Sequence, residues 1–370
     1  MSVRDFSERD VRMMLRALEL ADRALFSADP NPRVGCVLAH SDSIVGEGYT
    51  SPVGGPHAEV NALRAAGAQA RGATAYVTLE PCSHHGRTPP CADALAQAGV
   101  TRVVYAIGDP NPLVNGGGQT RLRAAGVAVE GGLLADAARE MNIGFFSRME
   151  RGRPWVIVKI GASLDGKIAL ANGKSQWITG EAARQDVQRQ RARSSAIMTG
   201  VGTALADDPR LTVRDAGIDM QGRKPLRVIC DSTLRTPTHA RLFKEAGPVV
   251  IATVSTEEAR TAALGAAGAE VIELPADEER RVSLSALLQV LGQRGCNELL
   301  VEAGPNLSGE LLARQLADEL LVYLAPMVLG ATAQSMLRLP EIADLKDGWQ
   351  FELFDCTQFG DDLRLRYRRA

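Results

Sequence analysis

Pro56-His57-Ala58-Glu59 and, further along, Pro81-Cys82 and Cys91 are the residues that decide how the first half of this 370-residue chain folds. Residues 57–66 have the pattern of a helix that begins at the histidine, and residues 73–79 have that of an apolar strand. Cys82 follows this strand, and Cys91, separated from it by eight residues, opens the next predicted helix. The sequence therefore places one imidazole and two thiols at the ends of neighbouring elements of an α/β domain.

This ligand set is typical of zinc. One imidazole and two thiolates are borderline and soft ligands, and three protein ligands leave a fourth position for water, as in catalytic zinc sites. Glu59 is predicted to carry protons between that water and a leaving amine, as in the H-x-E and P-C-x-x-C pattern of zinc deaminases. The chain departs from that pattern because eight residues, not two, separate Cys82 from Cys91.

A structural zinc site is the alternative. His84 and His85 lie between the two cysteines, and a fourth ligand from either would close the site as a scaffold. Three features together favour the catalytic interpretation: the H-x-E pattern, the Pro-Cys pair after a strand, and a cysteine that opens a helix.

Composition and charge exclude several classes of protein. Apolar residues make up 45% and charged residues 23% of the chain, with a net charge of −2, as in ordinary globular proteins. Basic and acidic residues number 14 and 16 over residues 1–150, an even balance that argues against nucleic acid as the main partner. No apolar run approaches the ~18 residues of a membrane helix, and the N-terminus does not have the pattern of a signal peptide. Six irregularly spaced cysteines do not suggest a disulfide framework, so we expect a cytoplasmic protein with reduced thiols.

Alternating helix and strand patterns predict two α/β domains that meet near residue 150, where a charged stretch containing Gly and Pro follows a helix. An apolar stretch near Leu320–Leu329 leaves room for a homo-oligomer interface in the second domain. Helices are predicted at 8–26, 57–66, 90–98 and 136–148. Strands are predicted at 34–39, 44–49, 73–79, 102–107, 155–160, 196–199, 227–230, 249–253, 270–274 and 298–301, followed by a hairpin within 351–367.

Longer motifs resemble a known family. Residues 30–35, 56–60 and 79–91 are similar to the bifunctional deaminase–reductase family of riboflavin biosynthesis, in which a long insertion separates the two cysteines. The segments 159–166, 175–179, 202–209 and 301–305 continue the resemblance, which therefore covers nearly the whole chain.

For residues 1–150, the resemblance implies a zinc-dependent pyrimidine deaminase domain with a cytidine-deaminase-like α/β/α fold. Its substrate would be 2,5-diamino-6-(5-phosphoribosylamino)pyrimidin-4(3H)-one, from which it removes the 2-amino group, with Glu59 as the catalytic residue. Asn31 resembles the family's pyrimidine-binding asparagine, and His84 and Arg87 fall in the insertion that contacts the substrate and its phosphate. A guanidinium matches phosphate bidentately, although Arg87 also fits a solvated loop position.

For residues 151–370, the resemblance implies a dihydrofolate-reductase-like α/β domain that uses NADPH to reduce the ribosyl group to ribityl. Residues 301–309 follow a strand and open a helix, whose backbone N–H groups attract phosphate, but the Rossmann G-x-G-x-x-G fingerprint is absent. Lys159 is expected to orient the substrate or to pair with Asp165. The implied NADPH contacts are Ala162, Trp177, Thr203, Asp207, Ser232, Gly304, Pro305, Asn306, Leu307, Ser308, Gly309 and Glu310. The implied substrate contacts are Ser175, Arg191, Leu211, Arg214 and Glu302.

Two other functions compete with this interpretation. A deaminase of another nucleobase fused to an unrelated reductase would share the zinc motif, but the eight-residue gap between the cysteines argues against it. A non-catalytic zinc scaffold joined to a nucleotide-binding module would not need Glu59 beside an open zinc position.

Overall fold

The computed structural model describes residues 6–83, 90–112 and 114–369. The chain divides between Gly152 and Arg153 into two compact units. Within the described ranges, no helix combines the length and the apolar character needed to cross a lipid bilayer.

The first unit is built around a five-stranded mixed sheet with the strand order β2-β1-β3-β4-β5. β1 pairs antiparallel with β2 and β3, whereas β3, β4 and β5 are parallel. The strands are β1 (Gly35–His40), β2 (Ser43–Tyr49), β3 (Thr74–Leu79), β4 (Arg102–Ile107) and β5 (Ala128–Gly131). The helices are α1 (Glu8–Asp22), α2 (Ala58–Ala66), α3 (Cys91–Gln97), α4 (Gly117–Ala124), α5 (Ala135–Met141) and α6 (Ile143–Arg151). Apolar clusters cover both faces of the sheet, one with α2 and α3 and the other with α1 and α5, which makes the predicted α/β/α sandwich.

Two glycines of β2 let α2 lie unusually close to the sheet. A Cβ atom on Gly48 would stand 2.3 Å from the backbone oxygen of Ala58 and 2.5 Å from the nitrogen of Ala62. A Cβ on Gly46 would stand 2.3 Å from the oxygen of Ala62. The alanines of α2 continue this close contact, which fixes where the helix begins, immediately after His57.

We therefore expect Gly48→Ala to displace the start of α2. Backbone atoms cannot yield as a flexible side chain can, so overpacking should lower the free energy of unfolding by about 1–3 kcal/mol. Zinc affinity should fall as well, because His57 moves with the helix. Denaturant titration and competition with a zinc chelator measure the two effects. Gly265→Ala is the control, since a Cβ there meets no atom within 4 Å; equal stability losses in both variants would contradict the close-contact explanation.

The predicted helix over 136–148 is two helices. α5 ends at Met141 and α6 begins at Ile143, and Asn142 between them has non-helical dihedral angles. The Asn142 side chain accepts a hydrogen bond from the Arg33 backbone nitrogen (2.8 Å) and donates one to the Arg33 oxygen (2.9 Å). This pair of bonds ends α5 and fixes the loop before β1, which contains Asn31.

The second unit contains a nine-stranded sheet with the order β11-β10-β9-β8-β12-β6-β13-β16-β15 and a small sheet of β14 and β7. The strands from β11 to β13 run parallel, and β16 and β15 add an antiparallel edge. The strands are β6 (Trp155–Ser163), β7 (Lys167–Ala169), β8 (Ala196–Gly200), β9 (Leu226–Cys230), β10 (Val249–Thr253), β11 (Glu270–Glu273), β12 (Glu298–Val301), β13 (Glu319–Ala325), β14 (Gln334–Ser335), β15 (Phe351–Phe359) and β16 (Asp362–Arg369). The helices are α7 (Glu181–Arg193), α8 (Val201–Asp207), α9 (Glu258–Ala266), α10 (Leu284–Gln293) and α11 (Pro305–Ala313).

The apolar stretch that we expected to leave room for an oligomer interface is an internal strand. β13 pairs with β6 on one side and β16 on the other, and residues 319–323 are buried. A strand of a parallel sheet that is covered on both faces has a continuous apolar sequence, which resembles an exposed apolar patch when only the sequence is known. Its continuation, residues 326–328, is exposed.

Candidate active sites

The three predicted zinc ligands come together in the first unit. His57 is the N-cap of α2, Cys82 lies three residues after the end of β3, and Cys91 is the first residue of α3. The ligand atoms of these three residues all lie within 4.8 Å of one another. The ends of one strand and two helices thus bring together residues that are up to 34 positions apart.

The spacing of these atoms fits a tetrahedral zinc ion. The Nδ1 atom of His57 lies 3.7 Å from the Sγ atom of Cys82 and 3.3 Å from that of Cys91. Zinc bonds of about 2.0 Å to nitrogen and 2.3 Å to sulfur, at tetrahedral angles, require an N···S separation of about 3.5 Å. The donor set and its dimensions therefore suit zinc with three protein ligands.

The two cysteines are electrostatically coupled. A hydrogen bond from Cys91 holds the pKa of the Cys82 thiol well below its usual range, while the same contact and burial raise the pKa of Cys91. The Cys91 backbone nitrogen also donates to the Cys82 sulfur (3.3 Å). The lowered pKa means that the Cys82 sulfur readily becomes a negatively charged thiolate. A thiolate favours a bound metal cation, because a cysteine must be deprotonated to act as a metal ligand.

Glu59 lies in the first turn of α2 beside these ligands and is 4% exposed. Burial, together with the charge of Cys82, raises the pKa of its carboxyl group to about 7. A carboxyl group that titrates near neutrality suits the transfer of protons in both directions. Its position thus matches that expected of a proton carrier for a group bound at the metal.

The other predicted residues of this site are only partly described. Asn31 lies in the loop before β1, and its backbone nitrogen donates to the oxygen of Ala28 (2.9 Å). His84 and Arg87, like His85, lie outside the described residues. The sequence interpretation missed Asn61, whose side chain donates to the Tyr49 oxygen (2.9 Å) and Ser51 Oγ (3.0 Å) and so ties α2 to the loop after β2. A polar residue one turn after His57 in an alanine-rich helix was the available signal.

A second constellation of charges lies in the second unit, just beyond the end of β12. Glu302 receives two hydrogen bonds from Arg191 (2.6 and 2.9 Å) and is 3.5 Å from the Lys159 ammonium group. Burial alone would raise the pKa of Glu302, but the charges of Arg191 and Lys159 hold it at about 2. Glu302 is therefore an ionised carboxylate at neutral pH, fixed between two cations.

This arrangement corrects the alternative in which Lys159 pairs with Asp165. The Asp165 carboxylate instead accepts hydrogen bonds from Ser163 Oγ and from the backbone nitrogens of Leu329 and Gly330. It joins the loop after β6 to the loop after β13. The expectation failed because Asp165 lies close to Lys159 in sequence, whereas Glu302 approaches only through strand pairing.

Several of the predicted NADPH residues lie just beyond the carboxyl ends of parallel strands, the usual location of ligands in such sheets. Thr203 follows β8, and its hydroxyl accepts a hydrogen bond from the Gly304 nitrogen after β12 (3.2 Å). Gly304 to Glu310 form the N-cap and first turns of α11, whose N-terminus no side chain caps. Its backbone N–H groups thus fit a phosphate of a dinucleotide. Ser232 follows β9 and accepts from the Val282 nitrogen (3.1 Å).

The remaining predicted contacts differ in accessibility. Trp177 is 67% exposed, with the Arg184 guanidinium 4.6 Å above its ring, whereas Ala162 is fully buried in β6. Ser175 lies in the loop between β7 and α7, and Asp207 ends α8, where partial burial raises its pKa. Leu211 is 2% exposed, so its backbone and not its side chain is available to a ligand.

Arg191 and Arg214, both predicted to hold phosphate, differ in their surroundings. Arg191 donates from all three nitrogens, to Glu302 and to the Thr212 backbone oxygen (3.0 Å). The Arg214 guanidinium makes no hydrogen bond to any of the described residues, and only its backbone nitrogen is bonded, to Gln188 Oε1 (2.8 Å). Arg214 is therefore the arginine with free donors.

Comparison with known proteins matches both units. Residues 7–107 match the cytidine and deoxycytidylate deaminase zinc-binding region, and residues 154–365 match the RibD C-terminal domain. The riboflavin biosynthesis protein RibD of Escherichia coli is 47% identical over 369 residues, covering 96% of this chain and 98% of that protein. The chain belongs to the RibD family. Its Bacillus amyloliquefaciens member is 41% identical over 95% of this chain and 94% of that protein.

Solved structures of the RibD family share the fold. Acinetobacter baumannii RibD has a TM-score of 0.91 at 44% identity, over 98% of this chain and 99% of that one. A Thermotoga maritima deaminase/reductase has a TM-score of 0.84 at 31% identity, with the same coverage. The predicted family and the predicted combination of a deaminase-like and a reductase α/β domain are both confirmed.

Proposed function

We propose that this chain catalyses two successive steps of riboflavin biosynthesis, a zinc-dependent deamination and an NADPH-dependent reduction. The observation that carries the proposal is the cluster of His57, Cys82 and Cys91 beside the buried Glu59. The name of the Thermotoga relative specifies a diaminohydroxyphosphoribosylaminopyrimidine deaminase and a 5-amino-6-(5-phosphoribosylamino)uracil reductase. We assign the first reaction to residues 1–150 and the second to 151–370.

In the first reaction, water replaces the 2-amino group of 2,5-diamino-6-(5-phosphoribosylamino)pyrimidin-4(3H)-one, and ammonia leaves. His57, Cys82 and Cys91 would hold the zinc ion, which would lower the pKa of a bound water to about 7. The Glu59 carboxylate would take one proton from the attacking water and pass it to the ring nitrogen. It would then take the proton of the new hydroxyl group and pass it to the amine, which leaves as ammonia while the carbonyl forms. By the family resemblance, Asn31 would hold the pyrimidine, and His84 and Arg87 would contact the substrate and its phosphate.

In the second reaction, the ribosyl group is reduced to ribityl, which gives 5-amino-6-(5-phosphoribitylamino)uracil. NADPH would supply a hydride to C1′ of the ring-opened imine form of the sugar, and a proton from solvent would complete the reduction. The protein would supply binding and orientation. The start of α11 would bind a phosphate of the cofactor. Thr203, Ser232, Ala162, Trp177 and Asp207 would supply its other contacts. The substrate is held by Ser175, Leu211, Arg214 and the Glu302–Arg191 pair, with Lys159 orienting the sugar.

The environment of the protein follows from the same chemistry. All six cysteines are free thiols, and a zinc site with two cysteines needs them reduced. We therefore place the enzyme in the cytoplasm, where thiols stay reduced, with a phosphorylated small molecule and no nucleic acid as its substrate.

The test is to give the zinc-loaded protein the diaminopyrimidinone substrate, measure ammonia first without NADPH, and then add NADPH and follow its oxidation. We expect ammonia release in the first stage and oxidation only in the second. Ammonia release without later NADPH oxidation would support the deaminase assignment and contradict the reductase assignment. If folded, zinc-replete protein releases no ammonia, the assigned substrate is wrong. That result would favour a deaminase of another aminated base or a non-catalytic zinc scaffold.

A further inference from the structure

Cys82 lies in a segment without regular secondary structure. The other two ligands belong to helices, His57 as the N-cap of α2 and Cys91 as the first residue of α3. Residues 80–83, by contrast, form neither helix nor strand. The position of the Cys82 sulfur therefore depends on the contacts that hold this segment.

The start of α3 holds Cys82 from one side. The Cys91 backbone nitrogen donates to the Cys82 sulfur (3.3 Å), and the Ala92 nitrogen donates to the Cys82 backbone oxygen (3.2 Å). These two bonds fix the two cysteines relative to each other. They do not hold the chain that enters Cys82 from β3.

Glu80 holds the segment from the other side. Glu80 is 4% exposed, and its two carboxylate oxygens accept hydrogen bonds from the backbone nitrogens of Gly116 and Gln119, both at 3.1 Å. Its backbone nitrogen donates to the oxygen of Ile107, the last residue of β4 (2.9 Å). Glu80 thus connects the chain two residues before Cys82 to the start of α4 and to the end of the neighbouring strand.

Glu80 caps α4 from a distant part of the sequence. The N-cap of this helix is Gly116, which has a φ angle of +77° and no side chain that could accept from the first turn. In α1, the N-cap Ser7 accepts from the Asp10 nitrogen three residues later. In α4, the Glu80 carboxylate accepts the corresponding bond from Gln119, 39 residues away. The partial positive charge of a helix N-terminus also favours a carboxylate there.

A glycine brings α4 directly against the same segment. A Cβ atom on Gly118 would stand 1.8 Å from the Pro81 oxygen and 3.3 Å from the Glu80 carboxylate. The Pro81 oxygen belongs to the peptide that joins Pro81 to Cys82, so the helix backbone packs against the peptide next to the metal ligand. Hydrogen bonds and close packing at the start of α4 therefore fix the same two residues before Cys82.

We propose that Glu80 is a positioning residue of the metal centre, because it ties the chain before Cys82 to α4 and so sets where the Cys82 sulfur lies. The inference rests on the zinc centre of the proposed function. Residues that orient metal ligands without binding the metal commonly contribute about 10–100-fold to metal affinity. Glu80 acts through the backbone of Pro81 and Cys82, so its loss lets the sulfur move relative to His57 and Cys91.

The test compares Glu80→Gln with Asp10→Asn in the full-length protein. Glutamine keeps the shape of Glu80 but replaces one accepting oxygen by an NH2 group, so one of the two bonds to α4 is lost. We expect Glu80→Gln to weaken zinc binding about 10-fold in competition with a chelator. Asp10 is the matched control, since it is also 4% exposed in the first unit and accepts from Tyr76 (2.7 Å) and Arg102 (2.6 Å). Asp10→Asn should lower the urea midpoint of unfolding and leave the zinc affinity unchanged.

Gly118→Ala tests the same contact while Glu80 stays in place. The added methyl group pushes α4 away from the Pro81 oxygen, so we expect a loss of zinc affinity at least as large as that of Glu80→Gln. The absorption spectrum of bound Co²⁺ reports the geometry at the cysteines independently of activity. Its visible and sulfur-to-cobalt bands should shift in both variants and stay unchanged in Asp10→Asn. If Gly118→Ala does not fold, Glu80→Gln alone decides.

These measurements separate the inference from the proposed function. If Glu80→Gln lowers the urea midpoint but keeps the zinc affinity and the cobalt spectrum of the unmodified protein, Glu80 is only a helix cap and the inference fails. Ammonia release by the unmodified protein would then leave the proposed function standing. If the unmodified protein binds zinc but releases no ammonia, the proposed deamination fails, whereas weaker zinc binding by Glu80→Gln still supports the positioning role.

Discussion

Replacing Glu59 by glutamine is expected to lower the rate of ammonia release by at least about 10³-fold. The carboxyl group is buried beside the zinc ligands, and the reaction needs it to accept a proton and then to donate one. Glutamine has nearly the same shape but can do neither. General acid–base catalysis by one positioned group contributes about 10²–10⁴-fold, and both proton transfers here depend on Glu59. Ammonia release from the diaminopyrimidinone substrate is the measurement.

Two further measurements show whether the loss is chemical. Zinc content should remain at one ion per chain, because Glu59 is not a ligand, and reduction of the already deaminated substrate should be unchanged. Glu19→Gln, on the exposed surface of α1, should leave both reactions unchanged. Full ammonia release by the Glu59→Gln protein would show that another group moves the proton. Loss of zinc together with ammonia release would instead make Glu59 part of a structural metal site.

The strands were largely predictable from the sequence. The predicted bounds at 102–107, 249–253 and 298–301 coincide with β4, β10 and β12, because short apolar runs between turn residues allow few other structures. β13 was not recognised because an apolar run without alternation does not distinguish an internal strand from an exposed patch. The break at Asn142 depends on hydrogen bonds to Arg33, more than one hundred residues away, which no local pattern contains.

The two sites differ in how far the sequence predicts them. His57, Cys82 and Cys91 were recognisable because metal ligands must be specific residue types at the ends of elements. Lys159, Glu302 and Arg191 come from β6, the end of β12 and α7, and only the pairing of parallel strands brings them together. The geometry of the second site therefore had to come from the structure.

Replacing Glu302 by glutamine is expected to abolish most of the NADPH oxidation and to destabilise the second unit. Arg191 would remain buried without its carboxylate, and removal of one partner of a buried ion pair costs about 3–5 kcal/mol of unfolding free energy. Lys159 would lose its anionic neighbour as well. If Glu302→Gln no longer oxidises NADPH but still releases ammonia, the substitution has impaired the reductase site specifically. Glu298→Gln is the matched control, because Glu298 is also buried and pairs with an arginine, Arg193 (2.7 Å). Glu298 is the first residue of β12, whereas Glu302 follows the end of this strand. The control should destabilise the protein similarly but leave the reduction rate unchanged.

The dependence of stability on pH tests the ionised state of Glu302 independently of activity. Its pKa is about 2 in the folded protein and 4.5 as the ordinary value, so its ionisation stabilises the fold by about 3 kcal/mol above pH 4.5. This contribution is lost as the pH falls from about 4.5 towards 2, because the unfolded chain takes up the proton first. Glutamine does not titrate, so the difference in unfolding free energy between the unmodified protein and Glu302→Gln should narrow by about 2 kcal/mol between pH 6 and pH 3. Urea titrations at a series of pH values measure it, and a difference that stays constant with pH would mean that Glu302 is not held ionised by Arg191 and Lys159.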